Sequence, residues 1–378
     1  MENIEISDNS TPIIPEKPVK KKILIFIVFL IILAVTLIMY TVFRGRENNQ
    51  NAKIGNNLIL PLTASPSSSP IPFEELTIPY LRERQYDSTL SGLERISSNA
   101  SYTSYLTSFT SDNLKINGLL TEPAGDPTTG SGPGKPEKGW PAIVFIHGYI
   151  PPDQYQTLTR YIDHVDYLSR NGFVVFKIDL RGHGNSEGEP GGAYYSSDYV
   201  IDVLNAYSAL QKSSFVNPSK IGLWGHSMAG NVVMRALTVK PEIPAAVIWA
   251  GAVYTYTDLA EYGIEDNSYQ PQPSDMERQK KRAMLRQTYG DPKDGNPFWK
   301  LVAPSNFLDD LKGAVQLNHT VDDPVVDIRY SRNLNSLLDI TSVPHELKEY
   351  PTGGHNITGG SFVSAIQNTI EFFTKYLN

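Results

Sequence analysis

The chain of 378 residues contains no cysteine. That excludes disulfides, a thiolate nucleophile and cysteine-ligated metal sites, and it leaves the redox compartment open. A basic excess is also missing: 33 lysines and arginines face 40 acidic residues, for a formal charge of −7. Nucleic acid is therefore a poor principal partner, because phosphate binding needs a basic face. Histidines number only seven, so any search for a general base is short. No internal repeat is visible. The hydrophobic (40%) and charged (19%) fractions are those of an ordinary globular protein, and the length allows one large domain or two small ones.

One long uncharged run stands out, Ile23 to Phe43, made mostly of Ile, Leu, Val and Phe. At about 1.5 Å per residue it covers the roughly 30 Å hydrocarbon core of a bilayer. A buried globular helix is rarely apolar on every face. A cleaved signal peptide has a shorter apolar core and a small-residue cleavage site. This run instead exits through Tyr40-Thr-Val-Phe-Arg-Gly-Arg46, so an uncleaved membrane anchor is expected. Lys17, Lys20, Lys21 and Lys22 precede it, while Arg44, Arg46 and Lys53 follow. The charge bias weakly favours a cytoplasmic tail over 1–22 and an extracytoplasmic remainder.

Residues 44–72 are polar, then rich in Pro and Ser, and read as a semi-extended linker. From 73 to 378 strand-like and helix-like segments alternate. Tyr102–Thr110 and Leu114–Thr121 form a hairpin pattern turned at Ser111-Asp-Asn113. Apolar strand candidates follow at Ala142–Ile146, Phe173–Ile178, Ile221–Trp224, Ala246–Ala250 and Ala314–Leu317. Leu158, Tyr161, Ile162, Val165 and Leu168 share one helical face, as do Phe362, Ile366, Ile370, Phe373 and Leu377. Strands without polar alternation between amphipathic helices predict an α/β domain with a mostly parallel sheet covered on both faces. The polar, Tyr-bearing stretch of about 254–307 breaks the rhythm and reads as a cap insertion.

The chemistry centres on Ile221-Gly-Leu-Trp-Gly-His-Ser-Met-Ala-Gly230. It reads as a strand entering a sharp turn and then a helix, with Ser227 at the apex as candidate nucleophile. Gly225 and Gly230 permit close helix–strand approach; Ala229 stands where the commonest form of the motif has Gly. A hydroxyl needs a base, and the base an orienting acid. His226 belongs to the elbow itself. His147 and His183 sit in Gly-rich turns suited to loop hydrogen bonding, His164 and His345 have no constellation around them, and His319 lies near the acid candidates. His355, in Pro351-Thr-Gly-Gly-His-Asn-Ile after a predicted strand (Glu346 to Tyr350), is the predicted base. The loop Asn318-His-Thr-Val-Asp-Asp-Pro offers Asp322 as acid, with Asp323 as runner-up. Backbone N–H groups of Met228 and Tyr149 are the predicted oxyanion donors. The Gly-rich loop Asp179 to Gly188 lacks a Lys-Ser/Thr pair, so a nucleotide site is disfavoured. Neither cofactor nor metal is expected.

Together His147-Gly, Asp179-x-Arg-Gly-His-Gly-x-Ser, Gly225-His-Ser-Met-x-Gly, Thr320-Val-Asp322 and Gly354-His355 resemble an α/β-hydrolase over about residues 100–378. The segment from Tyr289-Gly-Asp-Pro to Val326 resembles the catalytic domain of the prolyl oligopeptidase family, as does Leu114-Lys-Ile-Asn-Gly. The resemblance implies an eight-stranded, mostly parallel sheet with a small cap. It also implies a triad of Ser227, Asp322 and His355, an acyl-enzyme intermediate, and a small ester or peptide substrate. That family's peptidases carry a β-propeller ahead of the catalytic domain, for which 44–100 is too short. Carboxylesterase activity is the alternative, and a catalytically silent surface binding module or a lyase on the same scaffold are further ones. Oligomeric state is not readable.

Overall fold

A computed structural model describes residues 71–125, 134, 136–264 and 275–377. All fall within the compact unit 69–378. The predicted tail, anchor and most of the linker lie outside the described residues. Among the described residues, no helix is long and apolar enough to cross a membrane.

The strands are β1 (Ser91–Ser98), β2 (Tyr102–Ser111), β3 (Leu114–Pro123), β4 (Trp140–Ile146), β5 (Val174–Ile178), β6 (Val216–His226), β7 (Ala245–Trp249), β8 (Ala314–Thr320) and β9 (His345–Tyr350). They form one sheet in the order β1-β2-β3-β5-β4-β6-β7-β8-β9. The first three strands and the β3–β5 pair are antiparallel; every pair from β5 through β9 is parallel. Among the described residues the sheet has nine strands where eight were expected. The extra strand is β1, an edge strand exposed along its whole length, so it carries no burial pattern that a reader of the sequence could detect. At the predicted hairpin, Asp112 and Asn113 both take positive φ (50° and 64°), the geometry that lets a tight turn follow the sheet's twist.

The helices are α1 (Ile78–Glu83), α2 (Ile162–Arg170), α3 (Asp198–Gln211), α4 (Met228–Val239), α5 (Tyr256–Tyr262), α6 (Asp275–Tyr289), α7 (Pro297–Val302), α8 (Arg329–Asp339) and α9 (Gly360–Leu377). Strands β4, β5 and β7 are buried at every residue, as a parallel sheet covered on both sides requires. One face buries residues of α3, α4 and α8, including Leu204, Val233 and Leu334. The other buries Val165 and Leu168 of α2 with Ile366, Phe373 and Leu377 of α9.

The chain moves from β4 to β5 on one side and to β6 on the other, so the order reverses at β4. Ligands of open α/β sheets bind at such a switch point, beyond the carboxyl ends of the strands. Ser227 follows β6 there, and Tyr149 lies just beyond β4. The described part of the insertion packs elsewhere. Tyr256, Leu285, Phe298, Trp299 and Val302 form a separate apolar cluster with Leu76, just before α1. Tyr289 stacks on Phe298 at 3.7 Å between ring centroids.

Candidate active site

Ser227 sits between β6 and α4 with φ 55° and ψ −119°. A non-glycine residue at positive φ is strained by about 1–3 kcal/mol and persists only where the surroundings enforce it. Here the enforcement is visible. The Ser227 N–H donates to the Trp249 carbonyl (2.9 Å), and the Ser227 carbonyl accepts from the Gly230 N–H (2.9 Å). A Cβ on Gly225 would meet Val233 at 2.7 Å, and one on Gly230 would meet the Gly251 Cα at 2.7 Å. These glycines let α4 press against the sheet. Ala229 is fully buried and accommodated.

The Ser227 hydroxyl lies 2.8 Å from His355 Nε2. His355 Nδ1 donates to Asp323 Oδ2 at 2.9 Å. Because the carboxylate only accepts, Nδ1 carries the proton and Nε2 is the acceptor that faces Ser227. The contact differs from the sequence expectation: Asp323, not Asp322, touches the imidazole. Asp322 is exposed, and its carboxylate accepts the backbone N–H groups of Gly354 (2.9 Å) and Gly353 (3.3 Å). It tethers the loop that carries His355 without reaching the ring. Asp323 turns inward. Its Oδ1 accepts from Val325 and Val326 N–H at 2.8 and 3.0 Å, leaving Oδ2 for His355. Burial pushes this carboxyl up, yet hydrogen bonds from His319 and His355 outweigh it and hold Asp323 well below the usual range.

A signal for Asp323 was present in the sequence: Asp-Pro opens a turn whose N–H groups the aspartate side chain can accept. His319, noted only for its proximity, is a second partner of the acid. It is fully buried on β8, with Nε2 3.1 Å from Asp323 Oδ2 and Nδ1 2.7 Å from Ser331 Oγ. Only the fold could reveal that contact, because it depends on where β8 ends.

A family model described as "Serine aminopeptidase, S33" (Hydrolase_4) matches residues 140–265. Among curated proteins, human Protein ABHD12B is 31% identical over 104 residues, 28% of this chain and 26% of its own length. The chain thus spans about a quarter of that relative. The Uncharacterized peptidase YtmA of Bacillus subtilis (strain 168) is 25% identical over 256 residues, covering 66% of this chain and 85% of its own. Among solved structures, Acetyl Xylan Esterase 1 from Thermoanaerobacterium sp. JW/SL YS485 superposes with a TM-score of 0.55 at 19% identity, over 78% of this chain and 90% of its own. Pyrococcus horikoshii acylaminoacyl peptidase gives 0.55 at 19% identity, over 73% and 42%. The chain has the α/β-hydrolase fold.

The surroundings of Ser227 and His355 lock the loops that meet there. Tyr161, itself at φ 60°, bridges two of them. Its hydroxyl accepts the Gly148 N–H (3.1 Å) and lies 2.9 Å from His226 Nδ1, while His226 Nε2 lies 2.9 Å from the His355 carbonyl. The carbonyl can only accept, so Nε2 donates and Nδ1 accepts from Tyr161. Burial lowers His226 to about 3, which keeps that tautomer neutral and the chain of hydrogen bonds intact. His147 and His183 also serve the loop after β4. His147 Nδ1 donates to the Gly148 carbonyl at 2.8 Å, and His183 Nε2 lies 3.1 Å from the Ile150 carbonyl.

Tyr149 and Met228 both lie at the site. Tyr149 lines the cleft beside Ser227. Met228 opens α4, and the first N–H groups of a helix have no intrahelical acceptor. The cleft itself has a volume of ≈ 880 Å³. Among the described residues, none of its walls comes from the insertion. Of the insertion's tyrosines, Tyr256 joins the cluster around Trp299, Tyr254 is buried beside α4, and Tyr269 lies outside the described residues. Among the described residues there is no cluster of potential metal ligands.

Proposed function

We propose that this hydrolase cleaves a carboxylic ester or peptide bond through a Ser227–His355–Asp323 triad and an acyl-enzyme intermediate. The observation that carries the reading is the continuous hydrogen-bond path from Ser227 Oγ through His355 to Asp323, 2.8 and 2.9 Å, at the tip of a strained elbow. His355 Nε2 takes the Ser227 proton as Oγ attacks the carbonyl carbon, and Asp323 stabilises the imidazolium. The carbonyl oxygen, now negative, is met by N–H groups of Met228 and Tyr149.

The ester reading is favoured over a peptidase acting on free amino termini. Such a peptidase needs carboxylates to clamp an ammonium group, and among the described residues the cleft wall carries one acidic residue, the exposed Asp163. Ahead of β4, the described residues supply strands of the same sheet rather than a propeller. A likeness to the prolyl oligopeptidase catalytic domain is proposed on the segment from Tyr289-Gly-Asp-Pro to Val326 and on Leu114-Lys-Ile-Asn-Gly.

Fluorophosphonate labelling tests the reading. An adduct on Ser227 in the folded chain is expected, with ester hydrolysis lowered by about 10³–10⁶ in Ser227→Ala. Absence of an adduct would mark the chain as a silent module. The anchor over 23–43 and an extracytoplasmic site are proposed on the length and flanking lysines of that run. Alkaline carbonate should leave the full chain in the membrane pellet and extract a chain deleted for 23–43; equal extraction would remove the anchor.

A further inference from the structure

The cleft has a direction relative to the reacting atoms. In an acyl transfer the base returns its proton to the departing oxygen or nitrogen, so the leaving group lies on the imidazole side of the serine. The cleft opens on that side. Its walls include His355 and His226, whose rings stand 4.8 Å apart. Beyond them come Ile150 from the loop after β4, Ile162 from α2, and Asn356 and Phe362 from the base loop and α9. The loop after β7 contributes no wall: Ala252, Val253 and Tyr254 are buried in the core beside α4.

We propose that this cleft is the leaving-group subsite. The preferred substrates are then esters or amides that join a small acyl group to a bulky apolar or aromatic alcohol or amine. The inference rests on Ser227 and His355 acting as nucleophile and base. The lining includes the apolar or aromatic side chains of Tyr149, Ile150, Tyr161, Ile162, Val325 and Phe362. Its charged residues, Arg160 and Asp163, are both exposed and of opposite sign, so the lining carries no excess charge to favour an ionised leaving group. Apolar area removed from water stabilises binding by about 25 cal/mol per Å², and a roomy leaving-group side applies that to the alcohol or amine.

The chemistry balances on this assignment. Collapse of the tetrahedral intermediate breaks the bond from the acyl carbon to the leaving oxygen or nitrogen. That atom keeps the electron pair and receives from His355 Nε2 the proton first taken from Ser227. The small acyl group stays on Ser227 until a water, deprotonated by His355, releases it as the acid.

Two ester series measured on the full chain in detergent test the assignment. In acetates of methanol, benzyl alcohol and naphthylmethanol, kcat/KM should rise by about tenfold or more from the smallest to the largest alcohol. In methyl esters of acetic, butyric and octanoic acid it should fall. Ile162→Trp and Thr358→Trp, which fill the cleft from different elements, should each lower the benzyl-to-methyl ratio. A flat alcohol series, or a rise along the acyl series, with Ser227 still labelled, overturns the subsite and leaves the catalytic reading intact. Failure of Ser227 to label overturns both.

Discussion

At the scale of single residues, the site turns on two adjacent aspartates with different work. Asp322 spends its carboxylate on the backbone of the base loop, whereas Asp323 faces the imidazole and has no exposed side-chain surface. Asp323→Asn should keep the geometry while presenting the wrong partner to Nδ1, and should lower kcat by about 10⁴. Asp322→Asn should cost less than about tenfold, since an amide oxygen still accepts the Gly354 N–H. Steady-state kinetics on both variants separate the roles; a larger loss from Asp322→Asn would reverse the assignment. Ser227 and His355 stand out in the sequence because their neighbours are special: glycines around Ser227, and a Gly-Gly turn before His355. Between the adjacent aspartates the Asp-Pro turn was the one cue, and their side chains point opposite ways only once that turn is built.

At the scale of elements, the elbow shows how a helix enforces strain. A methyl on Gly230 would face backbone, the Gly251 Cα at 2.7 Å, which cannot rotate away. Gly230→Ala should therefore destabilise by about 1–3 kcal/mol through overpacking, although Ala favours a helix by about 1 kcal/mol. Chemical denaturation measures the first effect, and slower fluorophosphonate labelling should report the displaced Ser227. Unchanged stability and labelling would mean that α4 does not hold the turn. The buried elements were legible for a related reason. Strands such as Ala245–Trp249 and the stripe Ile366, Ile370, Phe373 and Leu377 on α9 are apolar where they pack. The edge strand β1 buries neither face, so only its pairing with β2 defines it.

At the scale of the whole molecule, folding buries histidines in neutral form. His164 lies among Phe145, Tyr161, Trp224, Trp249 and Phe362. Burial lowers it to about 3, and His226 likewise, against about 6.5 in an unfolded chain. Between those values the unfolded chain binds protons that the folded one refuses. Stability is thus undiminished above about pH 6.5 and falls as pH drops toward 3. The melting temperature should decline from about pH 7 to about pH 5, and His164→Phe should flatten that slope. An unaltered slope would place the proton uptake on other groups.

The sequence by itself determined the alternation of buried strands and amphipathic helices, the elbow with Ser227, and His355 on its turn. Each rests on local patterns: burial periodicity, glycine at close approach, turn residues. Only the tertiary structure decided that Asp323 rather than Asp322 meets the imidazole, and that His319 and the Tyr161–His226 pair support the loops around it. It alone showed an open cleft on the imidazole side, with no wall from the described insertion. Those contacts join strands and loops distant in the chain, and their geometry follows from how the sheet orders its strands, which no local pattern encodes.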